Sequence, residues 1–154
     1  MYDVYLAKAA IEKADAHSLR MAEKNLEALG LLVGDAFHFE DRQWVLVEDY
    51  LTAPNISSPV SVRFTEEALA EIAADISNRK AGKLIVGWCH SHPGYGCFLS
   101  LQDLETQQKY FPEEFHIAMV IDPTGCAGNK SLKRIFRLKN GGCHEVSFAV
   151  FTEK

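Results

Sequence analysis

Residues 84–103 have the sequence LIVGWCHSHPGYGCFLSLQD, which carries more chemical information than any other part of the chain. The apolar run that ends at His90 predicts a buried strand, in which side chains two residues apart lie on the same face. His90 and His92 can therefore bind one metal ion at the end of that strand. Pro93 and the Gly94-Tyr95-Gly96 run then predict a turn.

The residues after this turn predict a helix whose first turn carries a carboxylate. Ser100 is a favourable N-cap, and residues 100–108 have helical composition. Asp103 would then lie close enough to the strand end to supply an oxygen ligand beside the two imidazoles. Two histidines and one carboxylate leave a fourth position for water, which is typical of a catalytic zinc site rather than a structural one.

The spacing from His90-Ser91-His92-Pro93 to Ser100-Leu101-Gln102-Asp103 resembles the motif of the JAMM (MPN+) metalloproteases. The flanking segments VGW (86–88) and GYGCFLS (94–100) are similar to those of the family's catalytic subunits in the proteasome lid and the signalosome. The resemblance therefore continues on both sides of the histidines.

Two further segments extend the resemblance over most of the chain. Residues 118–124 (AMVIDPT) are similar to the family's later buried strand, and residues 27–34 (EALGLLVG) to its early strand with the catalytic glutamate. Because this chain ends soon after its last predicted strand, the resemblance points to a stand-alone, prokaryotic-type member.

The resemblance implies roles that spacing does not show. It implies that His90, His92 and Asp103 hold one zinc ion, that Glu27 is the general acid/base, and that Ser100 helps to stabilise the tetrahedral intermediate. Zinc lowers the pKa of a bound water to about 7, and a nearby carboxylate can take its proton and deliver it to the leaving amine. Glu27 precedes His90 by more than sixty residues, so its role rests on the resemblance.

Each of these residues also has a simpler interpretation. A bare His-x-His pair can be packed or exposed, Ser100 and Asp103 can form only a helix cap, and Glu27 can end the preceding helix in solvent.

A structural zinc cluster of Cys89, His90, His92 and Cys97 is the main competing constellation, because thiolates are the usual ligands of structural zinc. Strand geometry disfavours it, since Cys89 should point away from both imidazoles. Cys97 is then expected to pack as a small hydrophobic residue.

Composition limits the function classes. The chain has 154 residues, of which 47% are hydrophobic and 24% charged, which predicts a single domain spanning residues 1–154. The net charge of −5 argues against a nucleic-acid partner. No secretory signal or membrane-spanning run is evident, so we expect a cytoplasmic protein with no membrane contact.

The four cysteines do not form a disulfide framework, and reduced thiols are expected. A bridge between Cys126 and Cys143 is the less favoured alternative, because it requires their flanking strands to be neighbours.

Periodicity predicts alternating strands and helices. We expect strands at 4–6, 29–33, 44–47, 61–64, 116–121, 132–138 and 145–151, with Gly34-Asp35 joining the second and third. Helices are expected at 9–23, after Thr65 as an N-cap, and at the motif. The predicted class is α/β with the MPN (cytidine deaminase-like) fold that the resemblance implies, a mixed, mostly antiparallel, curved sheet flanked by helices.

The expected function is a zinc-dependent isopeptidase that cleaves between the C-terminal glycine of a ubiquitin-like modifier and a lysine of its target. Conjugates of ubiquitin-like proteins are then the expected partners. Residues 55–64 are a candidate edge to which the modifier's extended tail can add as a strand. A homodimer is a candidate assembly. Two alternatives stay open: a peptidase that trims the C-terminus of a small sulfur carrier or ubiquitin-like protein, and a non-catalytic MPN scaffold.

Overall fold

The structure, a computed structural model, describes residues 1–52, 55–57, 62–79, 82–125 and 131–152. Its helices in these ranges are α1 (Lys8–Glu23), α2 (Glu66–Arg79) and α3 (Leu101–Tyr110). Its strands in the same ranges are β1 (Val4–Ala7), β2 (Leu29–Phe39), β3 (Arg42–Thr52), β4 (Asn55–Ser57), β5 (Val62–Phe64), β6 (Leu84–Ser91), β7 (Ile117–Asp122), β8 (Leu132–Lys139), β9 (Gly142–Val146) and β10 (Phe148–Phe151).

The described strands form one large mixed sheet and one small hairpin. The large sheet has eight strands in the order β10-β1-β3-β2-β6-β7-β8-β9. The pairs β3–β2, β2–β6, β7–β8 and β8–β9 are antiparallel, and the other three neighbouring pairs are parallel. The predicted mixed, mostly antiparallel sheet is confirmed.

The sheet curls because its two edge strands are consecutive in the chain. Ser147 alone separates β9 from β10, yet these strands lie at opposite ends of the strand order. Asp3 and Ser147 hold this junction: Asp3 N donates to Ser147 Oγ (3.1 Å), and Ser147 N donates to Asp3 Oδ2 (3.1 Å). The prediction of one strand over 145–151 is therefore wrong, since the chain changes pairing partner at Ser147.

The predicted connection at Gly34-Asp35 is also wrong. β2 continues through both residues to Phe39, and the turn comes at Glu40-Asp41. The register between β2 and β3 shifts between Val33 and Gly34. A Cβ on Gly34 would lie 1.8 Å from the Leu46 carbonyl oxygen, so this glycine permits a close approach inside the sheet instead of a turn.

The sheet separates two apolar clusters. One packs against α1 and includes Cys89, Met119 and Ile135. The other contains Trp88 and Phe111, with Leu69 and Ile72 of α2 packed against it. The second cluster lies next to the two histidines, because Trp88 precedes His90 by two residues on β6 and its ring stacks on the His90 ring.

The segment proposed to hold an extended tail is partly described. β4 and β5 pair antiparallel, with Ile56 opposite Arg63, and residues 58–61 lie outside the described ranges. Thr65 caps α2 as predicted, because its Oγ1 accepts a hydrogen bond from Ala68 N (3.1 Å).

Candidate metal centre

Strand β6 carries His90 into the interior, and His92 follows directly after the strand, where its backbone N–H donates to the Ile121 carbonyl oxygen (2.8 Å). His90 pairs with Leu29 of β2 on one side and with Val120 of β7 on the other. The Trp88 ring stacks on the His90 ring with centroids 4.5 Å apart. His90 and His92 are 0% and 2% exposed, so the two imidazoles are held by packing before any ion binds.

Helix α3 brings Asp103 to the same place. Trp88 Nε1 donates to Gln107 Oε1, which ties the helix to β6. Ser100 and Asp103 form a capping box, since Asp103 N donates to Ser100 Oγ (3.1 Å) and Ser100 N donates to Asp103 Oδ2 (2.9 Å). The cap fixes the direction in which the Asp103 carboxylate points.

Three donor atoms converge as predicted. Asp103 Oδ2 lies 3.1 Å from His90 Nε2 and 3.5 Å from His92 Nε2, and the two Nε2 atoms are 3.1 Å apart. Ligand atoms around a tetrahedral zinc with bonds of about 2.0–2.1 Å lie roughly 3.3 Å from one another. The spacing and the donor types therefore fit zinc, and in the described residues this trio is the group that could hold a metal ion.

The protonation states also suit a cation. Burial lowers the pKa of His90, which favours the neutral imidazole that metals bind. Burial alone would raise the pKa of Asp103, but hydrogen bonds with His90 and His92 outweigh it and hold this pKa well below its usual range. His92 Nδ1 lies 3.0 Å from the Gly96 carbonyl oxygen, so it carries the proton and leaves Nε2 free for a metal.

Glu27 reaches the site through its neighbour Ala28. Ala28 N donates to Ser91 Oγ (2.7 Å), and Ser91 N donates to the Ala28 carbonyl oxygen (3.1 Å). Because Leu29 pairs antiparallel with His90, the residue two positions before Leu29 comes beside His92. Strand register thus brings Glu27 to a ligand more than sixty positions later in the chain.

Tyr95 closes the site on the other side of Glu27. Its hydroxyl donates to Glu27 Oε2, and its ring stacks on His92 with centroids 4.6 Å apart. Glu27 is 2% exposed, and this burial raises its pKa to about 7 although the Tyr95 hydroxyl and the nearby His92 act in the opposite direction. A carboxyl group with this pKa can accept and return a proton near neutral pH.

We expect this pKa to be visible in the stability of the metal-free protein. The carboxyl ionises near 4.5 in the unfolded chain and at about 7 in the folded one, so its stabilising contribution is complete below pH 4.5 and is lost as the pH rises through 7. Chelator-treated protein should lose on the order of 2 kcal/mol of unfolding free energy through this group between about pH 5 and 8.

The measurement is chemical denaturation of metal-free wild type and Glu27→Gln across that pH range. Glutamine does not ionise, so the pH dependence of the variant should be flatter by the same amount. Parallel curves for the two proteins would show that Glu27 has an ordinary pKa.

The cysteine alternative is wrong. Cys89 packs in the cluster on the α1 side of the sheet, away from both imidazoles, and burial raises the pKa of its thiol. Cys97 is buried as expected, and its Sγ donates to the Leu132 carbonyl oxygen (3.4 Å). Among the described cysteines, Cys89, Cys97 and Cys143 form no disulfide with one another, and Cys126 lies outside the described residues, so the Cys126–Cys143 alternative stays untested.

Sequence reasoning missed three residues that organise the site: Ser91, Tyr95 and Asp122. Ser91 and Tyr95 lie inside the motif, but their partners Ala28 and Glu27 come from a distant segment. Asp122 ends an otherwise apolar strand, and a carboxylate in that position was the available signal.

The mixed curled sheet and the buried two-histidine, one-carboxylate centre define an MPN-type α/β domain with a candidate metal site. Residues 1–113 match the family described as JAB1/Mov34/MPN/PAD-1 ubiquitin protease. The chain belongs to this family, and the predicted JAMM resemblance is confirmed.

Individual relatives agree with this assignment. The 26S proteasome regulatory subunit RPN11 of Eremothecium gossypii is 33% identical over 139 residues, which cover 88% of this chain and 42% of that protein. The ubiquitin carboxyl-terminal hydrolase RPN11 of Saccharomyces cerevisiae is 32% identical over 143 residues, covering 90% and 44%. The chain thus spans less than half the length of these relatives.

A solved structure supports the fold over nearly the whole chain. The solution structure of protein DSY2949 from Desulfitobacterium hafniense has a TM-score of 0.71 and 25% sequence identity, and the match covers 97% of this chain and 94% of that one. Within the described residues, none of the helices has the length and apolar character needed to cross a membrane.

Proposed function

We propose that this protein is a zinc-dependent isopeptidase that hydrolyses the bond between the C-terminal glycine of a ubiquitin-like modifier and a lysine of the target protein. The observation that carries the proposal is the convergence of His90, His92 and Asp103 with Glu27 placed beside His92. A relative named ubiquitin carboxyl-terminal hydrolase supports the substrate class. One zinc per chain is the proposed cofactor.

His90 Nε2, His92 Nε2 and Asp103 Oδ2 would hold the ion. When bound, zinc supplies a Lewis acid and makes water a stronger acid. Glu27 takes a proton from the attacking water and delivers it to the lysine amine as the amide C–N bond breaks. The products are a free carboxylate on the modifier and a free lysine on the target.

Ser100 suits the role of an oxyanion donor. Its Oγ accepts a hydrogen bond from Asp103 N, and this leaves the hydroxyl proton free to donate elsewhere. Capping and catalysis therefore use different parts of the same hydroxyl group. As the scissile carbonyl becomes tetrahedral, the Ser100 O–H donates to the oxygen on which negative charge develops.

Replacing Ser100 with alanine should lower turnover by about two orders of magnitude, the usual cost of one oxyanion donor, without changing zinc content. Loss of the helix cap should also cost about 1 kcal/mol of stability. Thr65→Ala is the control for the stability loss alone, because it removes the cap of α2 and leaves the cap of α3 in place. Steady-state kinetics and denaturation of both variants separate the effects, and full turnover in Ser100→Ala would leave Ser100 as a cap only.

The surface beside the metal centre suits a protein substrate. Tyr95, Phe98 and Leu101 are 36%, 45% and 81% exposed, although all three are large apolar or aromatic residues. The Phe98 ring lies 4.7 Å from the His92 ring, so this apolar surface reaches the site itself. Contiguous exposed apolar side chains are typical of interaction surfaces.

Residues 55–64 are the proposed second contact for the modifier. β4 and β5 pair with each other, and a strand with a free edge can add an extended peptide through backbone hydrogen bonds. A narrow approach to the metal that admits two glycines would then select the modifier's tail.

The proposal is tested with two substrates: a ubiquitin-like modifier joined to a lysine through an isopeptide bond, and the same modifier in a linear fusion. We expect zinc-loaded protein to cut the branched substrate and to release a modifier that ends in glycine, as measured by mass spectrometry. Cleavage of the linear fusion alone would support C-terminal trimming of a carrier protein instead. A zinc-loaded protein that cuts neither would support the non-catalytic scaffold. Cytoplasmic location and homodimer formation stay predictions.

A further inference from the structure

A buried carboxylate anchors the turn that follows the two histidines. Asp122 ends β7 and is 0% exposed. Its Oδ2 accepts a hydrogen bond from Gly96 N (2.8 Å). Its Oδ1 accepts hydrogen bonds from Gly94 N (2.9 Å), Gly125 N (2.9 Å), Thr124 N (3.2 Å) and Thr124 Oγ1 (3.3 Å).

The anchored turn contacts both parts of the proposed machinery. The Gly96 carbonyl oxygen accepts a hydrogen bond from His92 Nδ1 (3.0 Å), and the Tyr95 hydroxyl donates to Glu27. Gly94 and Gly96 have φ angles of 84° and 90°, which are conformations that favour glycine. These angles direct the two glycine N–H groups to Asp122 and leave Tyr95 between them, facing Glu27.

We propose that Asp122 is a positioning residue that sets the orientation of the metal ligand His92 and of the general base Glu27 through this one turn. The inference rests on the proposed zinc function. Within the described residues, Asp122 accepts hydrogen bonds from the turn and from residues 124–125, so its effect on His92 and Glu27 passes through the turn.

Within the described residues, Asp122 Oδ1 accepts four hydrogen bonds and Oδ2 accepts one, which makes one substitution informative. In Asp122→Asn, the amide oxygen is best placed at Oδ1, where four donors converge. The amide NH₂ then takes the Oδ2 position and faces Gly96 N–H, so two donors meet and this bond is lost. The variant therefore loses the hydrogen bond that holds Gly96, the residue whose carbonyl oxygen accepts from His92 Nδ1.

We expect Asp122→Asn to bind zinc about 10-fold more weakly, the lower end of the usual effect of disturbing an outer partner of a metal ligand, because Asp122 holds that partner, Gly96, in place. Its turnover with saturating zinc should fall while KM stays close to the wild-type value. Tyr95→Phe removes the hydroxyl that donates to Glu27 and keeps the ring that stacks on His92, so we expect it to keep wild-type zinc affinity and to lose roughly ten- to hundredfold in kcat. Competition with a chelator of known affinity measures zinc binding independently of activity.

Tyr50→Phe is the control for a lost buried hydrogen bond. The Tyr50 hydroxyl lies 2.7 Å from His17 Nδ1 in the cluster on the α1 side, away from the metal centre. Its unfolding free energy should fall by about 1 kcal/mol with no change in zinc affinity.

The outcomes separate the inference from the function on which it rests. A wild-type protein without zinc affinity would overturn the proposed function. If the wild-type protein binds zinc and Asp122→Asn binds it equally tightly, the inference alone would be overturned. Equal losses of affinity in Asp122→Asn and Tyr50→Phe would also overturn it, because they would reflect general destabilisation.

Discussion

Purified wild-type protein should hold about one zinc per chain, and single alanine substitutions of His90, His92 and Asp103 should each remove it. A site with three protein ligands that loses one of them binds zinc poorly, because two remaining donors neither complete the coordination nor offset the loss of hydration. Peptidase activity should fall to background in all three variants. Elemental analysis after dialysis and the isopeptide cleavage assay measure the two quantities.

The exposed His144 is the matched control for this experiment, because His144→Ala removes an imidazole of β9 that is not part of the ligand group. It should retain both zinc and activity. Near-stoichiometric zinc in the three ligand variants would place the metal elsewhere and overturn the assignment. Circular dichroism of each variant shows whether a loss of zinc accompanies a loss of the fold.

Glu27→Gln should keep zinc at about one per chain and lose about 10²- to 10⁴-fold in kcat, the usual contribution of a general acid/base. Glutamine has nearly the same shape and can still accept a hydrogen bond from the Tyr95 hydroxyl, but it cannot take a proton from water. The loss should therefore appear in kcat, and zinc content should change little. The thermal midpoint should also change little when it is measured at low pH, where Glu27 is protonated.

The exposed Glu23, at the end of α1, is the matched control for the loss of one carboxylate. Glu23→Gln should leave turnover unchanged. If Glu27→Gln turned over as fast as this control, Glu27 would have no part in proton transfer, and another group near His92 would have to supply the base.

Several elements near the motif could be predicted because short-range rules govern them. The alternation of side chains along extended backbone predicted His90 and His92 together and Cys89 on the opposite face. The Ser100–Asp103 spacing predicted the cap of α3, and the capping box is present. These relations span at most a few residues, so local geometry determines them.

Two errors in the sequence-based fold have one physical cause. The sequence pattern predicts a turn at Gly34, but this residue lies in β2 opposite β3, where a close approach excludes a side chain. Residues 145–151 have a continuous strand-like pattern, yet Ser147 divides them because β9 and β10 pair with different strands. In both places the deciding partner is far away in the chain, and local composition is the same for either outcome.

The sequence by itself indicated the family through the resemblance of its motif. It also determined the α/β class and the three candidate zinc ligands, because strand and helix periods that hold in any context bring those ligands together. Only the tertiary structure decided where Glu27 and Asp122 lie relative to the candidate site. Glu27 comes beside His92 through the register of β2 against β6, and Asp122 meets the Gly94–Gly96 turn because β7 lies next to β6. Such placements depend on strand pairing and on the curl of the sheet, which local residue patterns do not encode.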